Sequence, residues 1–287
     1  MPELPEIQTI VDDLNKTILN KKIKKVEIRL PKIAKCNDGD FCAVLKNSSF
    51  QKISRWGKYI FIQLSEKDKY LIVHLRMTGQ IIYINKEKII AGGHSEGNDK
   101  FNLPNKQTHL IIYFQDYSKL YYNDQRQFGF WQIANPKELK RVQDKLGLDP
   151  LHKKFDLLTF KKLLKNKKGN IKAFLLNQKY IAGLGNIYTD ESLFKAHILP
   201  SRKINTLTKI EIKELYKAIK DILTLSVKHR GTTFNTYVDA EGRKGRFIKF
   251  LKVYKKEGRI CSRCHKGIIK KMKIAGRGTR YCPYCQK

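Results

Sequence analysis

No run in this 287-residue sequence approaches the eighteen or more apolar residues that a membrane-spanning helix requires. A protein built on such helices is thereby excluded. The beginning, Met1-Pro2-Glu3-Leu4-Pro5-Glu6, lacks the basic region and apolar stretch of a secretory leader, so an intracellular protein is expected. Internal repeats and low-complexity segments are also missing, which leaves ordinary globular domains. Acidic residues are scarce: 26 Asp and Glu stand against 59 Lys and Arg, a formal charge of +33. A field of that sign attracts phosphate polyanions and speeds their encounter with the protein. A lysine-rich background accounts for many of these cations one by one. Only 13 of the 59 are arginine, however, and 6 of those fall between Arg243 and Arg280. That clustering favours nucleic acid as the partner over an anionic membrane surface. With 41 % apolar and 10 % aromatic residues, the chain still has the material for two cores.

The N-terminal half is patterned for strands. After a helix expected over residues 5–19, with Ile7, Ile10, Val11, Leu14 and Ile18 on one face, come short apolar runs at 26–30, 50–56, 59–64, 71–75, 81–84, 110–114, 120–122 and 130–133. Gly, Asn and Asp clusters separate many of them, most visibly from Ala91 to Asp99, and a β-sandwich is predicted. Beyond Gly147-Leu148-Asp149-Pro150 the period becomes helical, with helices at 156–164, 171–177, 187–196 and 208–229. The last opens on the capping pair Thr208 and Glu211. A basic, Gly-rich stretch from 231 to 246 follows, then a strand predicted over 247–254.

The six cysteines are better read as thiols or ligands than as disulfides in an intracellular chain. Cys261-x-x-Cys264 and Cys282-x-x-Cys285, 17 residues apart, offer two pairs of thiolates to one tetrahedral ion. A tail of some thirty residues has too little core to fold alone. One structural Zn2+ is therefore expected, closed on four thiolates and without a catalytic position. Cys36 and Cys42 have no companion pair and read as plain thiols. Lys270, Lys271, Lys273, Arg277 and Arg280 make the intervening hairpin basic.

Several stretches together are similar to one family, the formamidopyrimidine-DNA glycosylases of bacteria. They are Pro2-Glu3-Leu4-Pro5-Glu6, Gly57-Lys58-Tyr59, His74-Leu75-Arg76-Met77-Thr78-Gly79, Arg126-Gln127-Phe128-Gly129, Gly183-Leu184-Gly185-Asn186-Ile187-Tyr188, and the four cysteines with Gly276-Arg277-Gly278-Thr279. They run in order over nearly the whole chain. The resemblance implies an α+β multidomain fold: an N-terminal β-sandwich with a flanking helix (1–135), a linker (136–152), a helical helix–two-turn–helix domain (153–254, with a lesion-covering loop at 232–246), and a zinc-finger β-hairpin (255–287). It implies a base-excision-repair enzyme, a bifunctional glycosylase and lyase for oxidised purines such as 8-oxoguanine. The implied partner is damaged double-stranded DNA, bound by a cytoplasmic, nucleoid-associated monomer with no small-molecule cofactor.

Once Met1 is removed, Pro2 presents a secondary amine, and an α-amine titrates near pH 8, so part of it is unprotonated at neutral pH. Attack on C1′ would expel the base and leave an iminium. From the dipeptide alone, Pro2 would merely start the chain. Glu3 is placed for general acid–base work. Glu6 either lines the same site or complements the helix dipole. By resemblance, Lys58 and Arg277 donate protons in successive eliminations, although either also suits a plain phosphate contact. Asn186, Lys168 and His74 would hold phosphates. Met77, Arg126 and Phe128 would fill the gap left by an everted nucleotide, whereas by composition Met77 and Phe128 would be core. Gln127 and Gln107 stand where the family has Arg and His, which puts individual phosphate contacts in doubt. Two rivals are the endonuclease VIII branch, which acts on oxidised pyrimidines, and a non-catalytic zinc-ribbon DNA-binding protein. Leu4 and the 232–246 stretch speak against the first, Pro2-Glu3 together with Lys58 against the second.

Overall fold

In this computed structural model residues 2–37, 39–86, 89–93, 102–232 and 246–287 are described. The chain divides into two compact units, one made of residues 1–145 and 229–248, the other of 146–228 and 249–287. No helix among the described residues is long and apolar enough to cross a membrane.

The first unit opens with helix α1 (Leu4–Thr17), with Pro5 in its first turn. Strands β1 (Ile23–Ile28) and β2 (Ala34–Lys35) and the short helix α2 (Phe41–Leu45) follow. Then come β3 (Phe50–Trp56), β4 (Tyr59–Leu64), β5 (Tyr70–His74), β6 (Gly79–Ile84), β7 (Ile89–Gly93), β8 (Thr108–Phe114), β9 (Lys119–Asp124), β10 (Phe130–Ala134) and α3 (Pro136–Gln143). The strands form two five-stranded sheets, in the orders β1-β8-β9-β6-β7 and β2-β10-β5-β4-β3. All pairings are antiparallel except β2 with β10. Alternation along β1, β3 and β8–β10 turns Phe50, Phe114, Tyr122 and Trp131 inward, and the apolar face of α1 (Ile7, Ile10, Val11, Leu14) joins the same core.

In the second unit, α4 (Leu157–Leu164), α5 (Ile171–Leu176), α6 (Asn186–Lys195) and α7 (Lys209–Lys228) precede the hairpin β11 (Lys270–Ile274) and β12 (Arg277–Tyr281). Asp156 and Asn170 cap α4 and α5 by accepting from backbone N–H groups of the first turn. Thr208 and Glu211 form the expected reciprocal box at α7: the Glu211 N–H donates to Thr208 Oγ1 (3.1 Å) and the Thr208 N–H to Glu211 Oε2 (2.7 Å).

Two expectations are corrected. Ala91-Gly92-Gly93 is not a spacer but the end of β7, pairing with Gln80–Ile82 of β6. Residues 247–254 are not a strand: Phe247–Phe250 is a 3-10 turn. The backbone N–H groups of Lys252, Val253 and Tyr254 go instead to the buried Glu191 carboxylate, at 2.9–3.0 Å. A side chain of α6 thus takes the donors that a neighbouring strand would otherwise need to satisfy.

Candidate active site

Within the first unit, α1 runs beside β3. Arg55 Nε donates to Gln8 Oε1 (2.6 Å) and Asn15 Nδ2 to the Ile53 carbonyl (2.9 Å), so the start of α1 points toward the Gly57-Lys58 turn. Pro2, Glu3 and Glu6 are all buried. The Glu3 N–H donates to Glu6 Oε2 at 2.8 Å. The other Glu6 oxygen accepts from Thr232 twice, from N–H at 2.7 Å and Oγ1–H at 3.0 Å. A Cβ on Gly231 would come within 2.7 Å of that oxygen, and its φ of +79° already favours glycine. Arg230 completes the tie with an ion pair to Asp13 of α1 (2.6 Å). The chain returns at the same place: Arg246 bridges Thr232 and donates its N–H to the His229 carbonyl (2.9 Å), and the Phe247 N–H donates to the Gly231 carbonyl (3.2 Å). Of the loop assigned to 232–246, residues 233–245 lie outside the described residues.

His74 ends β5 in register with Tyr59 of β4 and Phe130 of β10. Its ring lies 4.5 Å from Tyr59 and 6.0 Å from Phe130. Burial, together with the nearby charges of Arg76 and Lys58, pushes the His74 pKa down to about 3. The Arg76 N–H donates to Nδ1 at 3.0 Å, which leaves the imidazole proton on Nε2. His74 is thus a neutral hydrogen-bond donor throughout the ordinary pH range, with the positive charge of Lys58 close by. Phe128 is 55 % exposed and Met77 half-buried, so neither is core. The Arg126 guanidinium lies over the Phe128 ring at 4.8 Å.

In the second unit, the Gly183-Leu184-Gly185 turn is fixed by Gln178, which accepts the Gly183 N–H (2.8 Å) and donates to the Leu184 carbonyl (2.8 Å). Asn186 opens α6, and its Nδ2 donates to the Gly278 carbonyl (2.9 Å), next to Arg277. One turn on, Asp190 accepts from Lys172 Nζ (2.6 Å) and from the Arg280 N–H (3.0 Å), while Lys172 also donates to Thr279 Oγ1 (2.7 Å). Lys172 and Asp190 are completely enclosed. Asn186 and the strand that carries Arg277 are therefore tied together. Lys168 is exposed in the α4–α5 loop, and among the described residues no hydrogen bond or ion pair joins it to Asn186 or Arg277.

The four cysteine sulfurs lie within 4.8 Å of one another, with Cys261–Cys285 at 3.8 Å and Cys264–Cys282 at 3.7 Å. A tetrahedral ion with metal–sulfur bonds of about 2.3 Å would set sulfurs roughly 3.8 Å apart, so the donor set fits a metal of that kind.

Family sequence models for the formamidopyrimidine-DNA glycosylase N-terminal domain and H2TH domain match residues 1–131 and 146–238. The formamidopyrimidine-DNA glycosylase of Carboxydothermus hydrogenoformans is 42 % identical over 288 residues, covering all of both chains. That of Pelotomaculum thermopropionicum is 40 % identical over 291 residues, covering all of this chain and 99 % of the relative. The chain belongs to the formamidopyrimidine-DNA glycosylase family. Among solved structures, a Lactococcus lactis Fpg variant in complex with Fapy-dG containing DNA aligns over the full length of both chains, with a TM-score of 0.87 and 35 % identity. The same protein with abasic-site DNA aligns over 99 % of each chain, at 0.85 and 35 %. Members of the family are base-excision-repair glycosylases with AP-lyase activity, and the fold and activity expected from the motifs stand.

Other polar residues hold these elements together within each unit, and the sequence reading assigns none of them a role of its own. Thr232, Arg230 and Asp13 tie the 229–248 segment to α1, Lys172 and Asp190 tie the hairpin to α6, and Asp124 with Thr78 ties two loops together. The available signal was the polar residue type inside otherwise apolar elements, such as Asp124 closing β9 after Leu120-Tyr121-Tyr122.

Proposed function

We propose that this chain excises oxidised purines from duplex DNA and cleaves the strand at the resulting site, with the amine of Pro2, freed of Met1, as nucleophile. The observation that carries this reading is the Pro2–Glu3 segment, buried and fixed through Glu6 to the base of the 232–246 stretch. In this scheme the Pro2 nitrogen bonds to C1′ while the C1′–base bond breaks, and the departing base takes a proton. The nitrogen sheds its proton, the C1′–O4′ bond opens with O4′ taking a proton, and the iminium so formed acidifies the C2′ hydrogen. Loss of that hydrogen breaks the C3′–O bond, and a second elimination breaks the C5′–O bond and releases the 5′ phosphate. Glu3 moves protons on the sugar, and Lys58 and Arg277 supply them to leaving groups. His74 offers a fixed Nε2–H to a phosphate without adding charge, and Asn186, with Lys168, serves phosphates in the second unit. Met77, Arg126 and Phe128 occupy the gap left by the everted nucleotide; the exposure of Phe128 on a structured turn suits that task. The protein acts as a monomer with functional parts bounded in sequence at 135, 152 and 254, residues 229–248 packing with the first unit.

The test is a panel of duplexes, each bearing one defined lesion. We expect 8-oxoguanine opposite cytosine to be cleaved at least roughly tenfold faster than thymine glycol, a ratio within reach of pocket contacts alone. The reverse order would assign the chain to oxidised pyrimidines, and the panel must include them because a Lactococcus lactis relative has been seen with oxidized pyrimidine containing DNA.

Cys261, Cys264, Cys282 and Cys285 would hold one Zn2+ per chain, whose bonds supply folding energy to the hairpin. Elemental analysis should find one zinc per protein, and Cys261→Ser should lose it and weaken DNA binding. Purified, active protein without zinc would overturn the assignment.

A further inference from the structure

We propose that Asp124, bridged by the Thr78 hydroxyl, is the positioning group that fastens the Met77 loop and the Arg126–Phe128 loop into one piece and thereby sets the efficiency of lesion eversion. This rests on the gap-filling reading of Met77, Arg126 and Phe128.

Asp124 is the last residue of β9 and Gly79 the first of β6, and the two are partners across the ladder. Residues 75–78 and 125–129 therefore meet the sheet at the same point. Asp124 is fully enclosed, yet among the described residues no cation pairs with it; hydrogen bonds alone satisfy it. Oδ1 accepts from the Thr78 hydroxyl, and Oδ2 accepts from the Gly129 N–H (2.7 Å) and the Tyr122 hydroxyl (3.1 Å). Its carbonyl accepts from the Gln127 N–H (3.2 Å) and from His109 Nε2 (2.8 Å).

Thr78 Oγ1 accepts in turn from the Arg126 N–H at 2.9 Å. An unbroken chain thus runs from Arg126 through Thr78 to the carboxylate and out to Gly129. It fixes the backbone at 126, 127 and 129, on both sides of Phe128, and ties it to the residue after Met77. A Cβ on Gly129 would fall 1.8 Å from the Tyr122 hydroxyl and 3.1 Å from Asp124 Oδ2, so the turn closes on the carboxylate only with glycine there.

A buried carboxylate is a costly way to fill space, and an apolar residue would pack the same volume with less penalty. What the carboxylate provides is several directional acceptors aimed at two loops. Groups that must enter a transient gap work best when already held in place, because a misplacement of about 1 Å far from the chemistry can cost roughly a hundredfold in rate.

Thr78→Val removes the bridging hydroxyl at nearly constant shape, and Thr78→Ser retains it. Both are compared with Arg126→Ala in single turnovers on two duplexes, one with 8-oxoguanine opposite cytosine and one with a preformed abasic site, which has no base to extrude. Thr78→Val should lower excision roughly tenfold more than abasic cleavage, the scale of one lost buried hydrogen bond with its partner stranded. Thr78→Ser should recover the wild-type ratio to within about threefold, since the hydroxyl is restored. Arg126→Ala should shift the ratio in the same direction. If Arg126→Ala shifts the ratio and Thr78→Val does not, the inference is overturned while the gap-filling reading survives. If Arg126→Ala leaves the ratio unchanged, that reading falls and the inference with it. Equal losses on both substrates in Thr78→Val, tracking a lower Tm, would reduce Thr78 and Asp124 to fold maintenance and overturn the proposal.

Discussion

Borohydride added during turnover on an abasic-site duplex should capture a covalent protein–DNA adduct on the N-terminal peptide, and protein that retains Met1 should give none. With Met1 attached, the Pro2 nitrogen is an amide whose lone pair is delocalised into the carbonyl, and it cannot form an iminium. Freed, it is a secondary amine titrating near pH 8, so roughly a tenth is available at pH 7. The surroundings are already arranged for it: the next residue's N–H is fixed on Glu6, and α1 is locked to β3 by Gln8 and Asn15. Pro2→Gly keeps an amine, though a primary and more mobile one, and should trap in reduced yield. Peptide mapping of the reduced adduct decides the matter. Full yield with Met1 in place would transfer the role to a lysine, with Lys58, buried near His74, the first to examine.

Glu3→Gln should lower base excision by roughly two to four decades, the usual range for a positioned acid–base group, while affinity for a non-cleavable lesion analogue stays nearly constant. Glutamine keeps the size and shape of the side chain, and the backbone tie of residue 3 to Glu6 does not depend on its identity. What is lost is the ability to exchange a proton with the sugar. Single-turnover rates and equilibrium binding separate the two effects. A parallel loss in both would make Glu3 a binding residue.

How far the sequence could be read depends on whether the determinants were local. Strands β3 and β4 begin and end at the residues predicted, and the four expected C-terminal helices fall within one or two residues of their limits, because apolar alternation and caps such as Asp156 and Asn170 lie in adjacent positions. Cysteine spacing is local in the same sense. Helix α3 was legible in principle, since Asn135, Pro136 and Glu138 form a capping box with proline at the start. Strand β7 was hidden by Gly92-Gly93, whose low strand propensity is overridden by pairing with β6. The failed strand at 247–254 traces to Glu191, some sixty positions away. Asp124, Thr78, Lys172, Asp190 and Thr232 share that difficulty: each is an ordinary polar residue until folding brings its partner from a distant segment.

The two ends of the 232–246 stretch are held side by side in the first unit, Thr232 on Glu6 and on Arg246, and Arg246 on His229. A segment anchored in this way is a cassette. Lengthening it adds only a slowly growing closure entropy, about 0.6 kcal/mol per doubling, and none of that strain need reach the nucleophile. Under the lesion-covering role proposed for this stretch, exchanging the residues between the anchors would alter base preference while α1 and the anchors themselves keep their contacts. Grafting this stretch from a relative, cut at 232 and 246, is accordingly the exchange least apt to disturb abasic-site cleavage.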